Sequence, residues 1–519
     1  MIKYYNSILF TGFMEQYSRK MKVKVLDIES GKLISLLNEI DAKELGILPL
    51  ERVQITNPKT GHKINTVADK TDTVVEENEI GLFEDVARLL EVKDGATVEV
   101  QASDKPKSVQ FIKKKMNKGK LKESEIKEIV EDLSSNKLSE VEATAFVSAV
   151  YINGFELDEI ISMTKALVEN GNTLVLDVSP VLDKHSIGGT NGRSTMIIVP
   201  IIASAGYYIP KTSSRSITSS AGTADAMEVL APVTLSMEKI KQVVEQTGGC
   251  IVWGGAVNLA PADDKIIKIE HPLSLDPEGQ VIASVMAKKV SVGSKHVVID
   301  IPIGPDVKIK TKERAEEMAL KFLEVGKKFG INVEVMLTNG AEPSGSAFGP
   351  ALEARHVMEI LEGKHFDNLA KKSCELAGAL LEMSGSTEPG KGHDKAKEIL
   401  ESGTALEKMR EIIKAQGGKI FSSSAVKMAP FMKEIKSRAN GRIYKINVRH
   451  CITIARIAGA PGDKKAGLLL KVKDGTKVKP EQPLFEIYAE NKRKLELAEQ
   501  FARSVDVIEL DKTILQRIS

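Results

Sequence analysis

Apolar and polar positions alternate over the first readable stretch of the chain. Val23 to Leu26, Arg52 to Ile55 and Thr97 to Gln101 are short β-branched or alternating runs separated by Gly, Asn and Asp turns. That pattern predicts a small β unit over residues 21–105. From about residue 123 the period lengthens: Ile126, Ile129, Val130 and Leu133 share one helical face. Ser139 and Glu142 form a capping box ahead of a second helix, and Leu157 to Val168 makes a third that stops at Asn170-Gly171. Residues 106–175 therefore read as a helical unit. The lysine-rich stretch from Phe111 to Lys122 has no interleaved aromatic residues, so it reads as a solvated linker and not as a nucleic-acid patch.

Between residues 174 and 360 short β-branched runs alternate with helical ones. The predicted strands are Leu174 to Val178, Ile251 to Trp253, Val297 to Ile301 and Val333 to Leu337. Strand–helix alternation of this kind specifies an α/β layer over a mixed, largely parallel sheet, placed at residues 176–435. Near residue 440 strands and Gly-rich turns return, with Arg442 to Val448, Leu468 to Val472 and Pro483 to Tyr488, so residues 436–519 read as a C-terminal α+β unit. The fold class expected is multidomain α/β.

Length fits that division, because 519 residues exceed what one hydrophobic core organises. A formal charge of +2 gives no global pull toward nucleic acid or an anionic membrane. No apolar run reaches the roughly 20 residues of a membrane-spanning helix. The patch Ile8 to Phe13 lacks a small-residue cleavage site, which leaves residues 1–20 as an extension and Met21 as the expected start. Cys250, Cys374 and Cys451 are isolated thiols without CxxC spacing, as expected of a cytoplasmic protein. The scattered histidines offer no metal cluster, and no metal or cofactor is expected.

Two polar segments interrupt the α/β pattern. The first, Asp183-Lys184-His185-Ser186-Ile187-Gly188-Gly189, leads into an apolar helix from Met196. Glycines let backbone N–H groups approach an anion, a helix N-terminus adds a favourable dipole, and Lys184 adds charge. Alone, such a turn is equally well a structural strand–helix connection. The second, Lys211 to Asp225, packs eight hydroxyls with Lys211 and Arg215 ahead of the helix Ala226 to Leu230. Hydroxyls and a guanidinium fork suit a phosphate, and two such loops in one α/β layer favour shared phosphate recognition over two solvated loops.

These loops resemble the phosphate-binding loops of the thymidine and pyrimidine-nucleoside phosphorylase family. They are most similar to its archaeal AMP phosphorylase branch, where the second loop reads Ser-Ser-Arg-x-Ile-Thr-Ser. The resemblance covers roughly residues 105–519, and residues 21–105 resemble a double-psi β-barrel. It implies phosphate contacts from Lys184, Ser186, Thr195, Ser213 and Thr223. It implies nucleotide contacts from Gly188, Ser214, Arg215, Ser216, Ile217, Thr218, Ser219 and Thr223. Asp276, eight residues before Ser284, falls at the proton donor's place, and Ser284, Lys288 and Lys308 match base- or nucleotide-binding positions. The segment near residues 261–292 would return to the helical unit, and closure would be hinge-like. The chain departs from the branch at Thr190-Asn191-Gly192-Arg193, where Arg193 either adds an anion contact or faces solvent.

The reaction implied is AMP plus phosphate giving adenine and ribose 1,5-bisphosphate, with CMP and UMP as further candidate substrates. Inorganic phosphate is a co-substrate, and the protein is expected to be at least a homodimer. One rival is a magnesium-dependent phosphoribosyltransferase of the anthranilate type, in which Asp225 and Glu228 would hold the metal. A second is a non-enzymatic interaction module on a degenerate enzyme body.

Overall fold

The computed structural model describes residues 18–29, 32–189, 191–216 and 219–511. The apolar patch at Ile8 to Phe13, Thr190, Ile217 and Thr218 lie outside the described residues. The chain divides between Asn153 and Gly154 into two compact units.

In the first unit, the period-2 runs close on themselves. β1 (Ser18–Leu26), β2 (Ile34–Asn38), β3 (Arg52–Thr56), β4 (Lys63–Thr71), β5 (Glu79–Phe83) and β6 (Thr97–Ala102) form a closed barrel in the order β1-β5-β2-β4-β3-β6. β1 pairs parallel with β5 and β2 parallel with β4, while the other neighbours are antiparallel. Inward positions such as Val23, Leu37, Val53, Ile55, Ile80 and Val100 fill the interior, and closure leaves no open sheet edge. β1 begins before Met21: Ser18 pairs with Gln101, and Arg19 forms a 3.0 Å ion pair with buried Asp41. Two short helices, α1 (Glu39–Glu44) and α2 (Glu84–Leu89), cap the barrel connections.

Three helices complete this unit: α3 (Ser108–Met116), α4 (Glu123–Ser134) and α5 (Glu140–Asn153). The expected linker is thus a helix in part. Ile112 and Lys115 of α3 are buried, because one face of the lysine-rich run packs on α4 and α5 while the remaining lysines stay wet. The Ser139–Glu142 box forms as expected, with Glu142 Oε2 accepting from the Ser139 N–H at 2.9 Å.

The second unit starts with α6 (Leu157–Glu169) and continues through β7 (Leu182–Ser186), α7 (Thr195–Ser204), β8 (Ile209–Ser213), α8 (Thr223–Leu230), α9 (Met237–Thr247) and β9 (Gly249–Trp253). α10 (Pro261–Leu273), α11 (Glu278–Ser291), β10 (His296–Ile303), α12 (Lys312–Lys328) and β11 (Asn332–Asn339) follow. β7, β10 and β11 are parallel in the order β11-β10-β7, β8 pairs parallel with β9, and a parallel bridge from Val181 to Tyr208 links the two sets. The expected strand Leu174 to Val178 does not form. Leu174 instead packs against Val243, Val244 and Val292, and its N–H bonds to Ser291 O at 2.7 Å. The strand in that part of the chain is β7, which carries Asp183, Lys184 and Ser186 and so hides from an apolar pattern.

Helix α7 is buried along Thr195 to Ala203. It forms one core with α8, α13 (Pro350–Leu361), α14 (Asn368–Met383), α15 (Gly392–Glu401) and α16 (Thr404–Ala415). The short β12 (Ala347–Phe348), which precedes α13, joins β13 (Phe431–Lys436), β15 (Gly467–Leu470) and β17 (Pro483–Ala489) in an antiparallel sheet. Beside it, β14 (Gly441–Ile446) pairs with β16 (Lys477–Val478) and β18 (Ile508–Leu510). The helices α17 (Val448–Ile457) and α18 (Lys492–Ser504) cover this C-terminal core.

Candidate active site

Both polar loops leave the C-terminal end of a parallel strand and enter a helix N-terminus, the place where open α/β layers bind ligands. The first loop runs from β7 to α7. Lys184, buried in the strand, donates to Ser186 Oγ at 2.5 Å and Ser194 Oγ at 2.9 Å. Ser186 in turn donates to Asp300 Oδ2 at 2.7 Å, and Lys372 on α14 pairs with Asp300 Oδ1 at 3.1 Å. Asp183, on the opposite face of β7, pairs with Lys289 at 2.5 Å and Lys211 at 3.4 Å.

These six charged groups do not balance. Lys184, Lys211, Lys289 and Lys372 face Asp183 and Asp300, so four potential cations meet two carboxylates. Burial and the charges of Lys372 and Lys211 lower Lys184 to about 7, against the pull of Asp300 and Asp183. Burial works to raise Asp300, but Lys184, Lys372 and two hydroxyl donors outweigh it and keep the carboxylate ionised. Burial followed by four lysine charges holds His185 neutral, well below the usual imidazole range. A dianion entering this field stabilises the protonated lysines.

Gly188 and Gly189 turn the loop at positive φ (80° and 74°). A Cβ on Gly188 would stand 2.9 Å from Lys308 Cγ, so the glycine also admits Lys308 from the other wall. Thr195 is the first residue of α7 and Thr223 the first of α8, while Ser213 ends β8. Arg193 neither faces solvent nor turns toward an incoming anion. It is buried, donates to Ala347 O and lies 4.0 Å from Glu353 and 5.3 Å from the Phe348 ring centre.

The second loop is braced by carboxylates. Asp225 Oδ2 accepts from the N–H groups of Ser216 (2.7 Å) and Gly222 (2.9 Å). The Arg215 fork grips Glu228 through two bonds of 2.7 and 2.8 Å, reaches Asp225 at 3.2 Å, and lies over the Trp253 ring. Hydrogen bonding from Arg215, reinforced by Lys464, takes Glu228 down to about 2 despite its partial burial. Ser216 Oγ donates to Ser219 O at 2.5 Å and ties the two sides of the loop together. Ser214 sits where the chain closes on Gly222, whose hypothetical Cβ would meet Ser214 O at 2.5 Å.

A third group of residues comes from α10, α11 and the loop after β10. Ser284 and Lys288 lie one turn apart on α11, and both donate to Asp263 Oδ2 at 2.7 Å. Asp276 is ion-paired with Lys308, and an opening of about 300 Å³ is lined by both and by Ile187 of the first loop. The residues expected from sequence thus do assemble: Lys184 with Ser186, Gly188 with Lys308, Lys308 with Asp276, and Ser284 with Lys288. Asp300, Lys372, Asp263 and Glu270 join them without having been expected. Asp300 had a visible signal, a lone acid within the apolar run Val297 to Ile301. Lys372 had none, because a single lysine on an amphipathic helix looks like surface.

Two family models match, the helical bundle domain of a glycosyl transferase family at residues 109–171 and its a/b domain at residues 178–406. The AMP phosphorylase of Thermococcus kodakarensis is 46% identical over 502 residues, covering 96% of this chain and 99% of its own. That of Methanococcoides burtonii is 43% identical over the same shares. The chain belongs to the AMP phosphorylase family. Among solved structures, anthranilate phosphoribosyltransferase from Thermus thermophilus matches with a TM-score of 0.52 at 20% identity, over 59% of this chain and 99% of that one. That likeness shows a common fold. In this AMP phosphorylase family member, Asp225 and Glu228, the metal ligands of the rival phosphoribosyltransferase reading, are both bonded to Arg215.

Proposed function

We propose that this enzyme cleaves the N-glycosidic bond of AMP with inorganic phosphate, releasing adenine and ribose 1,5-bisphosphate. The cluster of Lys184, Ser186, Asp300 and Lys372 at the C-terminal end of β7 carries this reading, because lysines whose charged form burial disfavours are stabilised by an incoming phosphate dianion. Relatives named AMP phosphorylase at 43% and 46% identity support AMP as the nucleotide. Phosphate held by Lys184, Ser186, Ser213 at the end of β8, and the α7 and α8 N-termini at Thr195 and Thr223 would screen the positive charge growing at C1′ and then attack it. The hydroxyls and N–H groups of Ser214, Ser216 and Ser219, with Ile217 and Thr218, would receive the 5′-phosphate beside Arg215. The base would lie toward Ser284, Lys288, Asp276 and Lys308.

Incubation with AMP should release adenine only when phosphate is supplied, and equally well without magnesium. Release that requires magnesium and pyrophosphate chemistry, or no release from AMP, CMP or UMP, would defeat the reading. Gly222→Ala should lower kcat/KM for AMP by about 100-fold, since even a 1 Å misplacement of a positioning loop costs that much. The added carbon has only backbone of Ser214, Arg215 and Ser216 to push against, and unchanged steady-state kinetics would disprove the close approach. We also expect a cytoplasmic enzyme that is at least a dimer. Among the described residues no helix is long and apolar enough to cross a membrane.

A further inference from the structure

Arg215, the arginine within the second loop, is committed to the loop itself. Both its Nη atoms bond to Glu228, and one also reaches Asp225. Lys464 adds a second cation to Glu228 at 2.6 Å. Two cations thus meet two carboxylates, and hydrogen bonding from Arg215 keeps Glu228 ionised. The 5′-phosphate of a nucleotide carries roughly two negative charges near neutral pH. Set beside Glu228 and Asp225, it is repelled unless a further cation faces it.

That cation comes from α17. Arg456, exposed in the last turn of the helix, donates from Nη1 to Ser219 O at 3.1 Å. Ser216 Oγ bonds to the same carbonyl at 2.5 Å. A carbonyl accepts such a bond without cancelling the charge, unlike the Glu228 carboxylate that Arg215 holds. The arm is also braced. Val448, Cys451, Ile454 and Ala455 anchor α17 in the C-terminal core. In the turn that follows, Asp463 N–H bonds to Gly459 O at 2.9 Å, and Lys494 pairs with Asp463 at 2.6 Å. Ala351 N–H then bonds to Lys464 O at 2.9 Å. Arg456 and Lys464 therefore reach the second loop from one fixed segment, which limits the ordering that a bound anion must impose.

We propose that Arg456 contacts the 5′-phosphate and is the residue by which the enzyme tells a nucleotide from the corresponding nucleoside. A guanidinium fork meets two phosphate oxygens at once, which a lysine ammonium does not. Arg215, Asp225, Glu228 and Lys464 set the shape of the loop, and Arg456 supplies the charge that reads the substrate. This assignment rests on the phosphorolysis reading above, in which the second loop receives the 5′-phosphate.

The test is calorimetric binding of AMP, adenosine and inorganic phosphate, each alone, to the full-length wild type and Arg456→Met. AMP should bind the variant about 10- to 100-fold more weakly, the range expected for losing a hydrogen bond between charged groups. Adenosine, which lacks the 5′-phosphate, and inorganic phosphate, assigned to the first loop, should bind both proteins alike. The proposal is overturned if AMP binds Arg456→Met as tightly as the wild type. It is overturned equally if adenosine or inorganic phosphate is weakened by the same factor as AMP, since a residue that only supports the fold would do that. Should Arg456→Met fail to fold, Arg456→Gln must show the same selective loss, and its absence there is equally fatal. A wild type that releases no adenine from AMP and phosphate defeats the phosphorolysis reading itself. An active wild type with an indifferent Arg456 defeats only this assignment.

Discussion

Lys184→Met is expected to cut kcat/KM for phosphate by about 100- to 1,000-fold, the range seen when one preorganised electrostatic group is removed from a transition state. The lysine is held in β7 with almost no exposure, between Ser186 and Ser194, so nothing else in the loop can take its place. Methionine preserves its length and removes its charge, which separates electrostatics from packing. The same residue predicts a pH effect in the wild type. Its ammonium form dominates below about 7 and is lost above it in the empty site. Phosphate favours that form, so affinity should decline as pH rises beyond neutrality, with a proton taken up on binding. Calorimetric titration with phosphate alone, in buffers of different ionisation enthalpy, measures both. An affinity that stays level into the alkaline range would remove Lys184 from the phosphate.

Asp183→Asn should be the most destabilising single change at the site, by about 3–5 kcal/mol, the cost of leaving a buried partner charge unpaired. Lys289 and Lys211 are both nearly inaccessible and both face this carboxylate. Lys184 N–H also donates to it at 2.7 Å. The pairing and hydrogen bonds overcome burial and keep Asp183 below the usual carboxylate range. Its stabilisation is therefore complete above the unfolded-state value of about 4 and fades only as pH falls through the lower folded value. Denaturant unfolding at neutral pH should show the loss in the variant as a lower midpoint. Equal midpoints for wild type and Asp183→Asn would mean that water, not the carboxylate, compensates the lysines.

How well the sequence foretold the structure depended on what each strand carries. β9, β10 and β11 are apolar and were legible from composition alone, as were α4 and α6 from their period. β7 and β8 were not, because they place Asp183, Lys184, Ser186, Lys211 and Ser213 in an interior layer where pattern rules expect Val and Ile. Those residues tolerate burial only by pairing with one another across strands, and pairing between distant segments leaves no local mark. The same reason hid Asp263, whose partners Ser284 and Lys288 are about two dozen residues downstream. The loops themselves were legible, since hydroxyls and glycines crowded at a strand–helix junction suit an anion better than they suit packing.

Glu228 answers to two cations, Arg215 within the second loop and Lys464 at 2.6 Å from the C-terminal region, while Arg456 donates to Ser219 O at 3.1 Å. The outer wall of the nucleotide loop is thus built by residues more than two hundred positions away in the chain. A minimal enzyme trimmed to the glycosyl transferase domains at residues 109–406 would keep every candidate contact to phosphate and base, yet lose the buttress that shapes the loop for a 5′-phosphate. If the second loop receives the 5′-phosphate as proposed, the C-terminal region would take part in reading the substrate and would not stand apart as an appendage.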